Sequence, residues 1–246
     1  MNAQPPRIHS ATFDPIPRDA TPLVVFDLDG TLVDTAPDLT GALNYCLAEA
    51  GLPSLDVDAV RPHAGRGARA ILQLGFSAAG ITADETCLTN QLPRFLDRYN
   101  AHIADASMPF SGAVDALERL RGAGFKLAIC TNKMEALARR LLVELQIAGY
   151  FSAICGSDTF AGRKPDPVHL LGTVSLAGGS APVSIMVGDT DTDMEAARRA
   201  GLRSVLVDFG YDPCPAAHEK ADLVVSRFSE IDASTLLRLI ETVSAD

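Results

Sequence analysis

Short apolar segments typical of β-strands alternate with helical patterns over most of the chain. The segments are LVVF, FKLAIC, FSAIC, VSIMV and RSVLV, at residues 23–26, 125–130, 151–155, 183–187 and 203–207. From residue 110 onward, helical patterns rich in leucine and alanine lie between them. This alternation implies right-handed crossovers and a parallel sheet with helices on both faces. The sequence therefore predicts an α/β fold with a Rossmann-like core.

Residues 36–107 interrupt the alternation, because they show helical patterns and no convincing strand. One of these patterns places apolar residues at helical spacing over Leu88, Leu92, Phe95, Leu96, Tyr99 and Ile103. Thr35 and Asp38 have the spacing of a capping box at the start of the first helix. We therefore predict a small all-helical domain inserted after the first strand, with hinges near 34–37 and 106–111.

The predicted domain boundaries follow from this insertion. The α/β core comprises residues 21–35 and 108–246, and the helical cap comprises residues 36–107. Residues 1–20 are rich in proline and lack an apolar stretch, so we expect a flexible arm and no secretory signal.

The charge and the cysteines restrict the partners and the compartment. The net charge of −10 argues against nucleic acid and anionic membrane surfaces, which bind clustered basic residues. Five cysteines, odd in number and without a CxxC pair, suit a reducing compartment, so the cytoplasm is expected. We expect a monomer or a homodimer that acts on a small molecule.

Polar side chains follow the ends of the predicted strands. In an open parallel sheet, ligands bind outside the carboxyl ends of the strands, so these side chains should share one crevice. They comprise carboxylates, a hydroxyl, an amide and an ammonium group: Asp27, Asp29, Thr131, Asn132, Lys164, Asp189, Asp191 and Asp193.

This set of side chains favours a metal and a phosphate. Crowded carboxylates need a cation, and a donor set of oxygen atoms without histidine or cysteine suits Mg²⁺ better than zinc. Lys164 and Thr131 would then supply a positive charge and a donor for phosphoryl oxygens. Each motif alone also has a structural interpretation as a turn, a loop or a helix cap, but their combination at successive strand ends is much more specific.

The first motif places two acids on the same side of an extended backbone. Asp27 and Asp29 are two residues apart, so both point one way while Leu28 points the other way. One carboxylate can act as a nucleophile and the other can pass a proton to the leaving oxygen. The spacing alone leaves open which residue has which role.

These motifs resemble the haloacid dehalogenase-like superfamily of phosphatases. The matching segments are DLDGT, TNK, KPD and GDTDTD, at residues 27–31, 131–133, 164–166 and 188–193. The resemblance implies that Asp27 is the nucleophile and Asp29 the general acid and base. It also implies that Thr131 and Lys164 stabilise the phosphoryl group.

The resemblance further implies a metal site and a branch of the superfamily. Mg²⁺ would be held by Asp27, Asp189 and the main-chain carbonyl of Asp29, with Asp193 in support. The dehalogenase branch lacks the second acid of the first motif, and the phosphonatase branch needs a cap lysine, which residues 36–107 lack. The segments CTNK, AICGSDTF, KPDP and VDFGY look most like bacterial phosphoglycolate phosphatases. The N-terminal extension and the residues Thr190 and Asp191 depart from that pattern.

The resemblance predicts hydrolysis of 2-phosphoglycolate, whose carboxylate needs a cation. In the segment HAGRGARA, residues 63–70, glycines allow a close approach to a ligand, and Arg66 could form a bidentate pair. Thr131, Asn132, Lys164 and Arg66 are therefore the expected substrate-binding residues. The same segment could instead be a helix start whose arginines face water.

Three other functions remain open at this stage. They are a phosphatase for another ester such as a sugar phosphate or pyrophosphate, a phosphomutase of the same superfamily, and a non-catalytic phospholigand-binding protein.

Overall fold

A parallel sheet forms the centre of the protein, whose computed structural model describes residues 21–241. The described residues contain eight strands: β1 (Leu23–Phe26), β2 (Val33–Asp34), β3 (Met108–Pro109), β4 (Lys126–Cys130), β5 (Ala153–Cys155), β6 (Ser184–Gly188), β7 (Arg203–Val207) and β8 (Leu223–Val225). Six of them form one sheet in the order β5-β4-β1-β6-β7-β8, and every pairing in it is parallel. Each predicted apolar segment overlaps one of these strands, so the predicted α/β fold is confirmed. The edge strand β8 was not predicted.

Helices cover both faces of this sheet. The described residues contain ten α-helices: α1 (Ala36–Glu49), α2 (Val57–Val60), α3 (Ala68–Ala78), α4 (Glu85–Ala101), α5 (Ala113–Gly122), α6 (Glu135–Glu144), α7 (Pro167–Leu176), α8 (Asp191–Ala200), α9 (Pro215–Lys220) and α10 (Ala233–Glu241). Alternate residues of β1 enter different apolar clusters. Val24 and Phe26 pack with residues of α5, α6 and α10, whereas Leu23 and Val25 pack with residues of α7 and α8. Because successive side chains of β1 point to opposite faces of the sheet, each face packs against a different layer of helices.

Four helices, α1 to α4, follow one another between β2 and β3. They pack mainly through α1 against α4 and α3 against α4, and a 3-10 turn at Arg61–Arg66 leads into α3. Their buried side chains belong to the same apolar cluster as one face of the sheet. The helical patterns predicted within residues 36–107 therefore match helices of the structure.

The chain enters and leaves the four helices through a narrow segment that we term the neck, residues 33–38 and 106–110. Here β2 and β3 form a two-stranded antiparallel ribbon. The carboxylate of Asp38 accepts hydrogen bonds from the main-chain N–H groups of Ala106 and Ser107 and from the hydroxyl of Ser107. The predicted capping box is wrong, because Thr35 makes no side-chain cap and Asp38 bonds across the neck instead.

Two further expectations concern the ends and the cysteines. The predicted arm at residues 1–20 lies outside the described residues. Within residues 21–241, no helix has the length and apolar content to cross a bilayer. All five cysteines are free thiols, and Cys46, Cys130 and Cys155 are buried.

Candidate active site

A cavity of about 680 Å³ lies at the carboxyl ends of the strands. Side chains that follow β1, β4 and β6 line one wall, and the 3-10 turn that precedes α3 lines the other. The lining includes eight of the predicted site residues: Asp27, Asp29, Arg66, Thr131, Asn132, Lys164, Asp191 and Asp193. Asp189 is fully buried and lies next to this group.

Three carboxylates meet beside one buried lysine. Oxygen atoms of Asp27, Asp189 and Asp193 all lie within 4.8 Å of one another. The Nζ atom of Lys164 lies 2.6 Å from Asp193 Oδ1 and 2.9 Å from Asp27 Oδ1, and the lysine is almost completely buried. The other oxygen of Asp193 accepts hydrogen bonds from the main chain and hydroxyl of Thr190, which caps α8.

Asp189 is held by donors on both of its oxygens. The hydroxyl of Thr31 donates to Oδ1 at 2.7 Å, and the main-chain N–H of Tyr211 donates to Oδ2 at 2.8 Å. Gly30 turns away from β1 with a φ of +86°, and a Cβ atom there would lie 2.5 Å from Asp189 Oδ2. Only glycine fits both the positive φ and the close approach of this carboxylate.

Asp29 is held by a different set of donors. The Nζ atom of Lys133 donates to its two oxygens at 2.8 and 3.1 Å, and the hydroxyl of Thr35 donates to Oδ1 at 2.7 Å. Lys133 also lies 4.7 Å from the centre of the Tyr99 ring on α4. The second acid of the DLDGT motif is therefore fixed by both the sheet and the helical region.

The remaining predicted residues differ in burial. Thr131 is buried and its hydroxyl accepts a hydrogen bond from the main-chain N–H of Lys133, while the amide of Asn132 donates to the carbonyl of Lys164. Arg66 is more than half exposed and forms an ion pair with Asp212 at 3.0 Å. Its role in reading the substrate stays a prediction.

The acidic group is short of positive charge. Three carboxylates face one ammonium group, which leaves two negative charges when all are ionised. Burial raises the pKa of Asp27 to about 6 and that of Asp189 to about 8, and the neighbouring carboxylates add to both shifts. A cluster of buried carboxylate oxygens with two uncompensated charges fits a hard divalent cation such as Mg²⁺.

Two side chains of this site were not assigned a role from the sequence. Lys133 belongs to the TNK motif and Tyr211 to the VDFGY segment, but neither spacing shows what they contact. The hydroxyl of Tyr211 accepts hydrogen bonds from the main-chain N–H groups of Thr35 and Ala36 at 2.6 and 2.9 Å and donates to Asp34 at 2.9 Å. Tyr211 therefore connects the Asp189 carboxylate to the neck.

We expect Tyr211→Phe to lower the free energy of unfolding by about 2 kcal/mol, because the buried N–H of Thr35 loses its acceptor, Asp34 loses a donor, and Ala36 keeps only its longer bond to Asp34. Urea unfolding of the metal-free protein measures the loss. Tyr150→Phe is a matched control, since its hydroxyl donates to Glu118 near the surface and its removal should change stability by less than about 0.5 kcal/mol. Equal losses in the two variants would show that the neck does not depend on the Tyr211 hydroxyl.

Sequence comparison places the chain among known hydrolases. The sequence pattern of the haloacid dehalogenase-like hydrolases matches residues 24–207. A phosphoglycolate phosphatase of Caulobacter vibrioides is 45% identical over 216 residues, which cover 88% of this chain and 91% of that protein. A phosphoglycolate phosphatase of Mesorhizobium japonicum is 42% identical over 219 residues, which cover 89% of this chain and 96% of that protein.

Comparison with solved structures gives a consistent result. The crystal structure of a predicted phosphoglycolate phosphatase from Haemophilus somnus superposes with a TM-score of 0.77 at 28% identity. The superposition covers 85% of this chain and 95% of that one.

Proposed function

The chain belongs to the haloacid dehalogenase-like hydrolase family, and from this premise we propose that it is a Mg²⁺-dependent phosphatase that hydrolyses 2-phosphoglycolate to glycolate and phosphate. The observation that carries the proposal is the meeting of Asp27, Asp189, Asp193 and Lys164 at one cavity. Relatives that are phosphoglycolate phosphatases, at 42–45% identity, support the choice of substrate.

In the proposed reaction, a carboxylate oxygen of Asp27 attacks the phosphorus atom. The new O–P bond of an aspartyl phosphate forms as the bond to the ester oxygen breaks, and Asp29 gives its proton to that leaving oxygen. Water then attacks the phosphorus, the bond to Asp27 breaks, and Asp29 takes a proton from the water. Lys133 and Thr35 hold Asp29 in position through both steps.

Lys164 and Thr131 stabilise the transferred phosphoryl group. Both side chains are buried, so their charge and dipole act in a medium of low dielectric constant, where electrostatic stabilisation is strong. Asp27, Asp189 and the main-chain carbonyl of Asp29, with Asp193 in support, would hold Mg²⁺, which would neutralise charge on the phosphoryl oxygens.

The four helices α1 to α4 serve as a cap over the crevice in this proposal. Closure of the cap would exclude water during phosphoryl transfer, with the neck as the hinge. We further propose a cytoplasmic location, in keeping with five free thiols. The proposed oligomeric state is a monomer or a homodimer.

A panel of phosphate esters assayed with Mg²⁺ tests the function. We expect phosphate release to be fastest from 2-phosphoglycolate, slower from hexose phosphates and pyrophosphate, lost with a chelator and restored by Mg²⁺. Formation of an isomer from a hexose phosphate, without free phosphate, would indicate a phosphomutase instead. Binding of esters without any turnover would indicate a phospholigand-binding protein.

A further inference from the structure

A second cavity, of about 350 Å³, adjoins the site on the side of the helical cap. It shares Asp29, Arg66, Asn132 and Lys133 with the first cavity, so the two form one continuous space. Its remaining wall is mostly apolar and comes largely from α4 and α3, including Ile71, Leu92, Phe95, Leu96 and Tyr99, with Leu137 from α6. A group that leaves from the phosphorus atom toward Asp29 would enter this second cavity.

Lys133 brings a buried positive charge to the junction of the two cavities. Its side chain is only 6% exposed, and its Nζ atom lies 2.8 Å from Asp29. A buried ammonium group needs a paired carboxylate, and Asp29 is that partner. Lys133 therefore places a cation next to the acid that protonates the leaving oxygen.

The hydroxyl of Tyr99 is a second donor at the same place. Tyr99 is 2% exposed and lines the second cavity. Within residues 21–241, the hydroxyl hydrogen of Tyr99 has no acceptor, because the polar group near it is the ammonium group of Lys133, which can only donate. A buried O–H group without an acceptor is costly, so its position indicates a ligand that accepts a hydrogen bond there.

The chemistry of the leaving group connects these observations. In 2-phosphoglycolate a single methylene carbon separates the ester oxygen from the carboxylate. When the ester oxygen lies within hydrogen-bond distance of Asp29, the carboxylate must lie close by, within reach of Lys133. Arg66 is a weaker candidate for binding this carboxylate, because its side chain is more than half exposed and already forms an ion pair with Asp212.

We propose, on the basis of the function proposed above, that Lys133 and the hydroxyl of Tyr99 bind the carboxylate of the leaving group. Selectivity for an anionic leaving group then comes from a lysine of the α/β core, with the cap contributing a tyrosine. Asp27, Lys164 and Thr131 act on the phosphoryl group, while Lys133 and Tyr99 bind and select the leaving group.

A matched pair of esters tests this specificity. 2-Phosphoglycolate and 2-hydroxyethyl phosphate differ only in a carboxylate and a neutral CH₂OH group. We expect Lys133→Met to reduce the ratio of their kcat/KM values by about 10- to 100-fold, because a hydrogen-bonded charge pair is lost for one ester only. Weaker positioning of Asp29 slows both esters, so the ratio removes that common effect.

Two further variants complete the experiment. Tyr99→Phe keeps the ring and the Lys133–Asp29 pair and should reduce the ratio by about 3- to 10-fold, which tests the subsite even if Lys133→Met does not fold. Lys126→Met is the matched control, because Lys126 lines neither cavity and its Nζ atom donates to the carbonyl of Gly178, so this variant should leave the ratio unchanged. A collapse of the ratio in Arg66→Met, with Lys133→Met and Tyr99→Phe unaffected, would overturn the proposal.

The same esters separate this proposal from the proposed function. A wild-type enzyme that hydrolyses both esters equally well would remain a phosphatase but would contradict the carboxylate subsite. If neither ester is hydrolysed, the proposed function fails, and calorimetric binding of the two esters to Asp27→Asn with Mg²⁺ still tests the subsite. Preferential binding of 2-phosphoglycolate that disappears with Lys133→Met supports it, and equal binding contradicts it.

Discussion

Asp27→Asn should reduce kcat for phosphate release by about 10⁴-fold or more, because an amide cannot serve as the nucleophile that forms the aspartyl phosphate. Asparagine has nearly the same shape as aspartate, so the side chains that line the cavity, including Lys164, should keep their packing. Phosphate release from 2-phosphoglycolate under saturating Mg²⁺ measures the loss. Asn in place of the exposed Asp97 is the control and should retain full activity.

The stability of the same variant distinguishes a chemical loss from a structural one. Burial raises the pKa of Asp27 from its ordinary value of 3.8 to about 6, so the folded protein binds this proton more tightly than the unfolded chain does. In the metal-free wild type, the stabilising contribution of this group is full below about pH 3.8 and is lost as the pH rises through about 6. Asp27→Asn removes this dependence, so at pH 7 it should be at least as stable as the wild type in urea with a chelator. A variant that is both inactive and much less stable would contradict a purely chemical role.

Lys164→Met should impair both activity and folding. The lysine is the ammonium group nearest to Asp27 and Asp193, and its removal leaves three buried carboxylates without a counter-charge. Loss of one buried partner costs about 3–5 kcal/mol, which urea unfolding of the metal-free protein would show. Loss of a buried charge at the phosphoryl group should lower kcat/KM by about 10²- to 10³-fold or more.

Lys126→Met provides the comparison. The Nζ atom of Lys126 donates to the carbonyl of Gly178 near the surface, and Lys126 lines neither cavity. Its replacement should cost less than about 1 kcal/mol and leave kcat/KM unchanged. If Lys164→Met were as mild as this control, the buried lysine could not be the main counter-charge of the acidic group.

Local patterns in the sequence were sufficient to predict the sheet and most of the residues that meet at its edge. The strand ends place Asp27, Thr131 and Asp189 at one edge because parallel strands share a direction, so no knowledge of side-chain packing was needed. Strand β8 was not predicted because Leu223–Val225 is a three-residue edge strand and only its last residue is buried.

Contacts between distant residues could not be predicted in this way. Lys133 and Asp29 are 104 positions apart, and the hydroxyl of Tyr211 meets Asp34 across 177 positions. Neither contact follows from any spacing in the chain, since each joins loops or strands that only the tertiary fold brings together: Lys133 follows β4 and Asp29 follows β1, while Tyr211 follows β7 and Asp34 lies in β2. The failed capping box has the same cause: Thr35 and Asp38 had better partners in tertiary structure than in the first turn of α1.

The neck has a consequence for chimeric enzymes. On the side of the helices, the carboxylate of Asp38 accepts hydrogen bonds from Ala106 and Ser107 across the neck. On the side of the core, the hydroxyl of Tyr211 accepts a hydrogen bond from the main chain of the neck at Thr35. A foreign domain inserted between Asp38 and Ala106 would leave the hydrogen bonds of Asp38 and of Tyr211 intact. Junctions outside this interval would remove Asp38 or the residues that bond to it, so the segment that can be exchanged is shorter than the complete insertion.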